Sequence, residues 1–213
     1  MSRIVPIFLI TAVSVLAIVL FLVFKSNAAS LGNGYLFLGR MKVNTATDMT
    51  GMFTTSTAFD GAGTKELKIF FPESEGAWCK DATNTVGNLT VTGVATSAID
   101  QGSWSIDAAL PGTLVATCYQ GGVGENDYIS ITGITNLLAN TSYGFKIDAD
   151  TNVLRTGSNT GSNLISYQLI EGTKIETTSF SIALLSDDKI LVGAYVVETP
   201  TITCNIGGNV NLG

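Results

Sequence analysis

The sequence contains no histidine among its 213 residues. This absence excludes catalytic arrangements that need an imidazole, such as Ser/His/Asp and Cys/His groups, and it removes the usual protein ligand of zinc. The G-x-S-x-G pattern of a hydrolase nucleophile and the G-x-x-x-x-G-K pattern of a phosphate-binding loop are also absent. We therefore predict a protein that is not an enzyme and that binds no cofactor.

Charged residues are also scarce, at 13% of the chain, and acidic ones outnumber basic ones by 17 to 11. The resulting net charge of −6 would be repelled by the phosphates of nucleic acid and by anionic lipid headgroups, so neither is expected as a partner. Much of the remaining polar surface comes from threonine, serine, asparagine and glycine. This composition favours β-structure with many turns.

The N-terminus holds the one long apolar run, the 21 uncharged residues Ile4–Phe24. A helix of this length crosses the roughly 30 Å core of a bilayer. Small residues follow it, with Ser26 and Ala28 at the −3 and −1 positions of a signal-peptidase site. We predict an export segment at residues 1–28, either a cleaved signal peptide or a membrane anchor through residues 4–24, and a short linker at residues 29–33.

The three cysteines are Cys79, Cys118 and Cys204. Export permits disulfides, and we predict a bridge between Cys79 and Cys118. Closing that loop of about 40 residues would stabilise the fold by roughly 4 kcal/mol in the chain-entropy model. Cys204 then has no assigned partner.

From residue 34 onward the pattern is that of short strands separated by turns. In Thr64–Phe71, for example, Leu67, Ile69 and Phe71 alternate with polar residues, and Lys174–Leu185 alternates in the same way. We predict an all-β domain over residues 34–213, an immunoglobulin-like antiparallel β-sandwich of roughly 8–11 strands preceded by one N-terminal hydrophobic helix. The abrupt end of the sequence is compatible with truncation at the C-terminus.

One acidic segment resembles a calcium loop. Asp148, Asp150 and Asn152 place three oxygen ligands on one side of a turn. Val153 stands where an EF-hand has glycine, and the segment equally suits an ordinary turn joining strands at 142–147 and 152–156 in a hairpin. Both interpretations stay open, and the plain turn is preferred, so no metal site is predicted.

Aromatic residues near loops suggest a ligand platform, because planar rings stack on sugar faces. Trp78, Trp104, Tyr119 and Tyr128 lie near predicted loops, and Trp104 and Tyr119 are the preferred candidates. Trp78 lies beside a predicted disulfide, where core packing is the alternative, as in immunoglobulin-type sandwiches.

The residues TATDMTGMFTTSTAF and GTKELKIFFP, between positions 45 and 72, carry a resemblance to known proteins. The chain resembles β-sandwich modules of secreted bacterial surface proteins, in which a Phe-Thr strand, a glycine turn and a strand ending in Phe-Pro follow one another. The resemblance covers about the first third of the exported chain. It implies a cell-surface sandwich and transfers no functional residue.

Together these features predict an extracytoplasmic protein, secreted or at the cell surface, that acts in adhesion or surface assembly. Two alternatives are a pilin-like filament subunit and an extracellular carbohydrate-binding domain. The chain departs from the pilin pattern, because it lacks the glycine before the apolar run and the glutamate within that run that pilins have. The expected partners are the membrane, if the run is uncleaved, and envelope proteins, further copies of the chain, or glycans.

Overall fold

The computed structural model describes residues 29–72, 78–79, 87–95, 105–122, 124–148 and 153–187. Within these ranges there are eleven strands and no helix, which confirms the all-β class. The strands are β1 (Ala29–Ser30), β2 (Gly34–Leu38), β3 (Met49–Thr54), β4 (Lys65–Phe70), β5 (Gly87–Val94), β6 (Ala108–Ala109), β7 (Gly112–Tyr119), β8 (Tyr128–Ile134), β9 (Ser142–Asp148), β10 (Gly161–Glu171) and β11 (Lys174–Leu184).

The strands form a sheet in the order β1-β11-β10-β4-β8-β7-β5-β9-β3-β2, and the short β6 pairs with β9. Neighbours are antiparallel, except that β1 is parallel to β11 and β6 to β9. The first residues of β5 pair with β7 and its later residues with β9, so β5 joins two parts of the sheet. Because β2 also contacts β11, the sheet is nearly closed into a barrel.

The core lies between the inward faces of this curled sheet. The ring of Phe145 in β9 is 6.0 Å, centroid to centroid, from that of Tyr167 in β10. Gly51 in β3 leaves room for both, since a Cβ there would lie 2.2 Å from Phe145 Cζ. The buried Tyr167 hydroxyl donates to the carbonyl of Tyr35 at 2.7 Å, which ties β10 to β2.

The alternation read from the sequence is confirmed in β4 and β11. Leu67, Ile69 and Phe71 are fully buried, and β4 ends at Phe70, two residues before a proline that has no N–H for the ladder. In β11 the side chains of Phe180, Ile182 and Leu184 point inward, while the residues between them are exposed.

The five residues expected to form a linker belong to the fold, so that prediction is wrong. Leu31 is only 1% exposed. The Leu31 N–H donates to the Thr177 carbonyl at 2.9 Å, and the Gly32 N–H donates to the Thr54 carbonyl at 2.7 Å. The segment lies between β11 and β3, and small polar neighbours of Leu31 gave no local sign of those distant partners.

A buried carboxylate joins β11 to the residues that follow β3. Glu176 of β11 has no exposed surface. It accepts hydrogen bonds from the N–H groups of Ser56 and Thr57, at 2.9 and 3.0 Å, and from the Thr57 hydroxyl at 2.5 Å. The Ser56 hydroxyl in turn donates to the Ser30 carbonyl. Because the charge is fully hydrogen-bonded, its burial is compatible with a stable fold.

The hairpin predicted around residues 148–152 does not form. β9 lies between β3 and β5 instead. Leu154 and Arg155 pair with Cys79 and Ala46. The local sequence favoured pairing with the nearest strand, whereas in the folded chain both edges of β9 pair with strands that are distant in sequence.

Several predicted features lie outside the described residues. They are the apolar run and predicted helix within residues 1–28, Trp104 and Cys204. Across the part of the chain that the structure describes, no helical segment has the length and apolar character needed to span a membrane.

Candidate functional site

Five neighbouring strands, β11, β10, β4, β8 and β7, share one outward face. Since successive side chains in a strand point to opposite faces, burying Leu67 and Ile69 turns Glu66, Lys68 and Phe70 outward. The neighbouring strands mostly present hydroxyl and amide groups here, from Thr117, Ser166, Gln168, Thr177 and Ser179.

Three aromatic residues interrupt this polar face in a single cross-strand line, which we call the aromatic row: Phe70, Tyr128 and Tyr119. Phe70 pairs with Tyr128 across β4 and β8, and Tyr128 pairs with Tyr119 across β8 and β7. The two tyrosine rings stack, with centroids 4.7 Å apart and planes 15° apart. The Phe70 ring is 5.5 Å from that of Tyr128, with a tilt of 38°. All three side chains are half-buried.

A lysine and a glutamate flank the aromatic row. Lys68 Nζ lies 5.4 Å from the centroid of the Tyr128 ring, within the range of a cation–π contact. The same Nζ is 3.8 Å from Glu66 Oε2, and Glu66 Oε1 accepts a 2.5 Å hydrogen bond from Ser130. Burial raises the pKa of Tyr128, and the neighbouring Tyr119 and Glu66 raise it further. The Tyr128 phenol therefore stays protonated at neutral pH.

Two buried groups fix the aromatic row from within the fold. The disulfide predicted between Cys79 and Cys118 is present, so the residue before Tyr119 is covalently held. Asp127, the residue before Tyr128, is buried and accepts hydrogen bonds from the N–H groups of Trp78, Cys79 and Gly121 at 2.8–3.0 Å. The ends of β7 and β8 are thus positioned by a covalent bond and by a satisfied carboxylate.

The other predicted site residues are not brought together with Tyr119. Trp78 is buried and stacks on Phe71, with centroids 4.6 Å apart, as the core-packing alternative expected. Asp148 Oδ1 lies 2.6 Å from Lys146 Nζ, and this pairing raises the pKa of Lys146. Asp150 and Asn152 of the calcium candidate lie outside the described residues. Among the residues that are described, no cluster of three acidic or cysteine side chains is close enough to hold a metal.

Phe70 is a site residue that sequence reasoning did not select, whereas Tyr128 was named among the aromatic residues near loops without being preferred. The alternation of β4 does place Phe70 on the outward face. Its alignment with Tyr128 and Tyr119 depends on which strands are neighbours, and that information is absent from the local pattern.

The remaining acid–base pair of note has a structural role. Lys65 is buried on the inward side of β4, with Nζ 2.8 Å from Glu171 Oε1. Its ammonium also donates to the Gly61 carbonyl at 2.9 Å. A buried lysine without such partners would be strongly destabilising. These partners explain how Lys65 can be buried, so the Lys65–Glu171 pair needs no chemical role.

Comparison with known proteins assigns no family. No family model matches the sequence, and no curated protein matches it. Two solved structures are similar in part. One is AvmM, which catalyses macrocyclization in alchivemycin A biosynthesis, at 10% identity and a TM-score of 0.37, covering 76% of this chain and 93% of AvmM. The other is BslA, a bacterial hydrophobin, at 12% identity and a TM-score of 0.33, covering 75% of this chain and all of BslA. Likeness at this level carries no argument about function.

Proposed function

We propose that this chain is an exported, non-enzymatic surface protein whose β domain acts in adhesion or surface assembly through the aromatic row. The observation that carries the proposal is the placement of the N-terminal strand relative to that row.

The strand registers give this placement directly. Ala29 of β1 is level with Glu176 of β11, which is level with Leu169 of β10. The aromatic row is level with Ser166, which comes three residues before Leu169 in β10, or roughly 10 Å from it at about 3.3 Å per residue. Because β1 is parallel to β11, the N-terminal end of β1 points away from the aromatic row. A domain held by its N-terminus would therefore present the row on the side away from its attachment.

Export itself is supported by the sequence before β1. The apolar run at residues 4–24 has the length of a membrane-spanning helix, and the disulfide is compatible with an oxidising compartment. If the run stays in place, only residues 25–28 separate it from β1, which is at most about 14 Å of extended chain. The domain would then stand close to the membrane. If the run is cleaved after Ala28, the exported chain begins with β1 itself.

For the fold, we propose that the curled sheet is an immunoglobulin-like sandwich. One layer would be β1-β11-β10-β4-β8-β7 and the other β9-β3-β2, with β5 shared at the boundary. The packing of Phe145 on Tyr167 between β9 and β10 supports two facing layers. Such a sandwich is a frequent scaffold for surface recognition, where function lies in exposed residues rather than in the core.

The non-enzymatic part of the proposal is supported by the chemistry of the chain. There is no histidine, and the buried carboxylates of Asp127 and Glu176 are occupied by hydrogen bonds that hold loops in place. A carbohydrate-binding role is the form of adhesion that the aromatic row favours, since aromatic rings among hydroxyl groups suit a sugar.

The location is tested by expressing the full chain and digesting intact cells with an external protease. We expect the domain to be removed from intact cells or found in the medium. A Leu16→Arg variant, which places a charge in the apolar run, should be retained inside, whereas the matched Leu16→Ala variant should behave as wild type. Mass determination of the exported N-terminus then distinguishes the tether from release. Wild-type protein confined to the cell interior would contradict the proposal.

A further inference from the structure

We infer that the aromatic row is a binding site for a neutral oligosaccharide that lies across β4, β8 and β7. Its biological role rests on the surface function proposed above, but the binding is a property of the folded chain and is measured separately. The inference stands on the orientation of the rings, the state of their hydroxyl groups, and the local charge.

The rings face away from the core, so filling the interior does not explain them. Tyr128 is stacked on Tyr119 and is also covered by Phe70. The three half-buried rings therefore leave part of their surface, with two phenol groups, on the outward face. Carbon-bound hydrogens of a sugar pack on such aromatic carbons, while its hydroxyls need donors and acceptors nearby.

Those donors and acceptors are present at the aromatic row. Within the described residues, neither the Tyr119 nor the Tyr128 hydroxyl has a hydrogen-bond partner. Ser166 of β10 is aligned with Phe70, and the Gln168 amide is aligned with Lys68. The Ser166 hydroxyl is hydrogen-bonded to that of Ser179 at 2.8 Å, so the two phenols and the Gln168 amide are the polar groups that a polyol would use first.

The charges favour a neutral ligand. The Lys68 ammonium beside Tyr128 is offset by Glu66 at 3.8 Å, so the two largely cancel. The chain as a whole carries −6, which disfavours anionic glycans, and no second cation of the described face adjoins the rings.

A protein partner fits the aromatic row less well. Stable protein interfaces cover about 800 Å² on each partner and have an apolar centre. Here three rings are bordered mainly by serine, threonine and glutamine side chains, with the exposed Leu164 two residues from Ser166 in β10 and Val115 four residues from Tyr119 in β7. A patch of this size and polarity suits a few sugar units better than a protein surface.

The test is binding of the full chain, purified in detergent, to an array of neutral glucan, mannan, xylan and chitin hexasaccharides, with sulfated and sialylated glycans included. Calorimetry on the best neutral hexasaccharide then compares three variants. Tyr119→Ala removes an end ring, Tyr128→Phe removes one hydroxyl and keeps the stack, and Val115→Ala is the control, since Val115 is exposed on β7 four residues from Tyr119.

We expect Tyr119→Ala to raise Kd about tenfold or more, Tyr128→Phe to raise it about threefold, and Val115→Ala to leave it within about twofold. If Tyr119→Ala fails to fold, Tyr128→Phe still tests whether the aromatic row binds the glycan. The inference is overturned if no neutral glycan binds, if charged glycans bind more tightly, or if both tyrosine variants bind as wild type. It is also overturned if the chain binds a protein from the cell envelope through the row and no glycan. A chain exposed on cells that binds no glycan would overturn this inference and leave the surface proposal intact.

Discussion

At the scale of single residues, the described part of the chain relies on a few buried polar groups, each with a defined partner. Asp127 receives three backbone N–H groups and sets the loops beneath the aromatic row. Tyr167 is fully buried, and its hydroxyl donates a hydrogen bond to the Tyr35 carbonyl. These side chains are therefore part of the hydrogen-bond framework of the fold.

Tyr167 makes the fold sensitive to alkaline pH. Burial raises the pKa of Tyr167 well above the ordinary value of 10.0. In the unfolded chain this tyrosine ionises near pH 10, while in the folded chain it keeps its proton. The folded state then binds more protons, so stability is present below about pH 10 and is lost as pH rises beyond it.

The check is urea unfolding at pH 8 and pH 11 in a Cys204→Ser background, which removes a thiol that could exchange with the disulfide. We expect Tyr167→Phe to lose about 1 kcal/mol at pH 8, with the hydrogen bond, and to lose less than wild type between the two pH values. The half-exposed Tyr119→Phe serves as control. Equal alkaline losses in wild type and Tyr167→Phe would refute the role of this residue.

At the scale of elements, β1 has only two residues and yet it forms one end of the sheet. It pairs with β11, and the adjoining Leu31 fills a fully buried position. Leu31, in the segment that was predicted to be a linker, therefore contributes to the packing of the core. The same segment sets the direction from which the chain enters the domain.

We predict that Leu31→Ala destabilises the protein by about 2–4 kcal/mol, because it leaves a cavity under β1. The matched variant is Leu138→Ala, the same substitution at a side chain that is 69% exposed, and it should change stability by less than about 0.5 kcal/mol. Urea unfolding monitored by tryptophan fluorescence measures both. Similar losses in the two variants would mean that Leu31 is not part of the core in solution.

At the scale of the whole molecule, most strand neighbours are distant in sequence, and one covalent bond joins two such regions. The disulfide links Cys79, which bridges to Leu154, with Cys118 in β7. Its sequence separation is 39 residues, so the unfolded chain loses substantial freedom when the bond is formed.

We predict that replacing both Cys79 and Cys118 with serine lowers the free energy of unfolding by about 4 kcal/mol. Chemical denaturation with and without reductant provides the internal control, since reductant should lower wild type towards the variant and leave the variant unchanged. A variant as stable as the oxidised wild type would show that the bond contributes nothing measurable.

Much of the fold could be predicted from local pattern, and the exceptions have a common cause. The inward faces of β4 and β11 were predicted, because alternation is a local signal. The Cys79–Cys118 pairing was also predicted, and the bond is present. The linker at 29–33 and the hairpin at 148–152 were wrong, because each depended on which distant strand supplies the partner. Of the aromatic row, Tyr119 was a preferred candidate and Tyr128 was named beside it, while Phe70 was not selected.

The all-β class and the buried faces of β4 and β11 could be predicted from the sequence, because they follow from the order of apolar and polar residues along the chain. The candidate disulfide and the prediction of export rest in the same way on the positions of the cysteines and of the apolar run. The tertiary structure was needed to show that β1 forms one end of the sheet and that Phe70, Tyr128 and Tyr119 lie in one line. Strand neighbours separated by tens of residues are chosen by the packing of the whole core. For that reason the aromatic row could not be predicted from any single segment of the sequence.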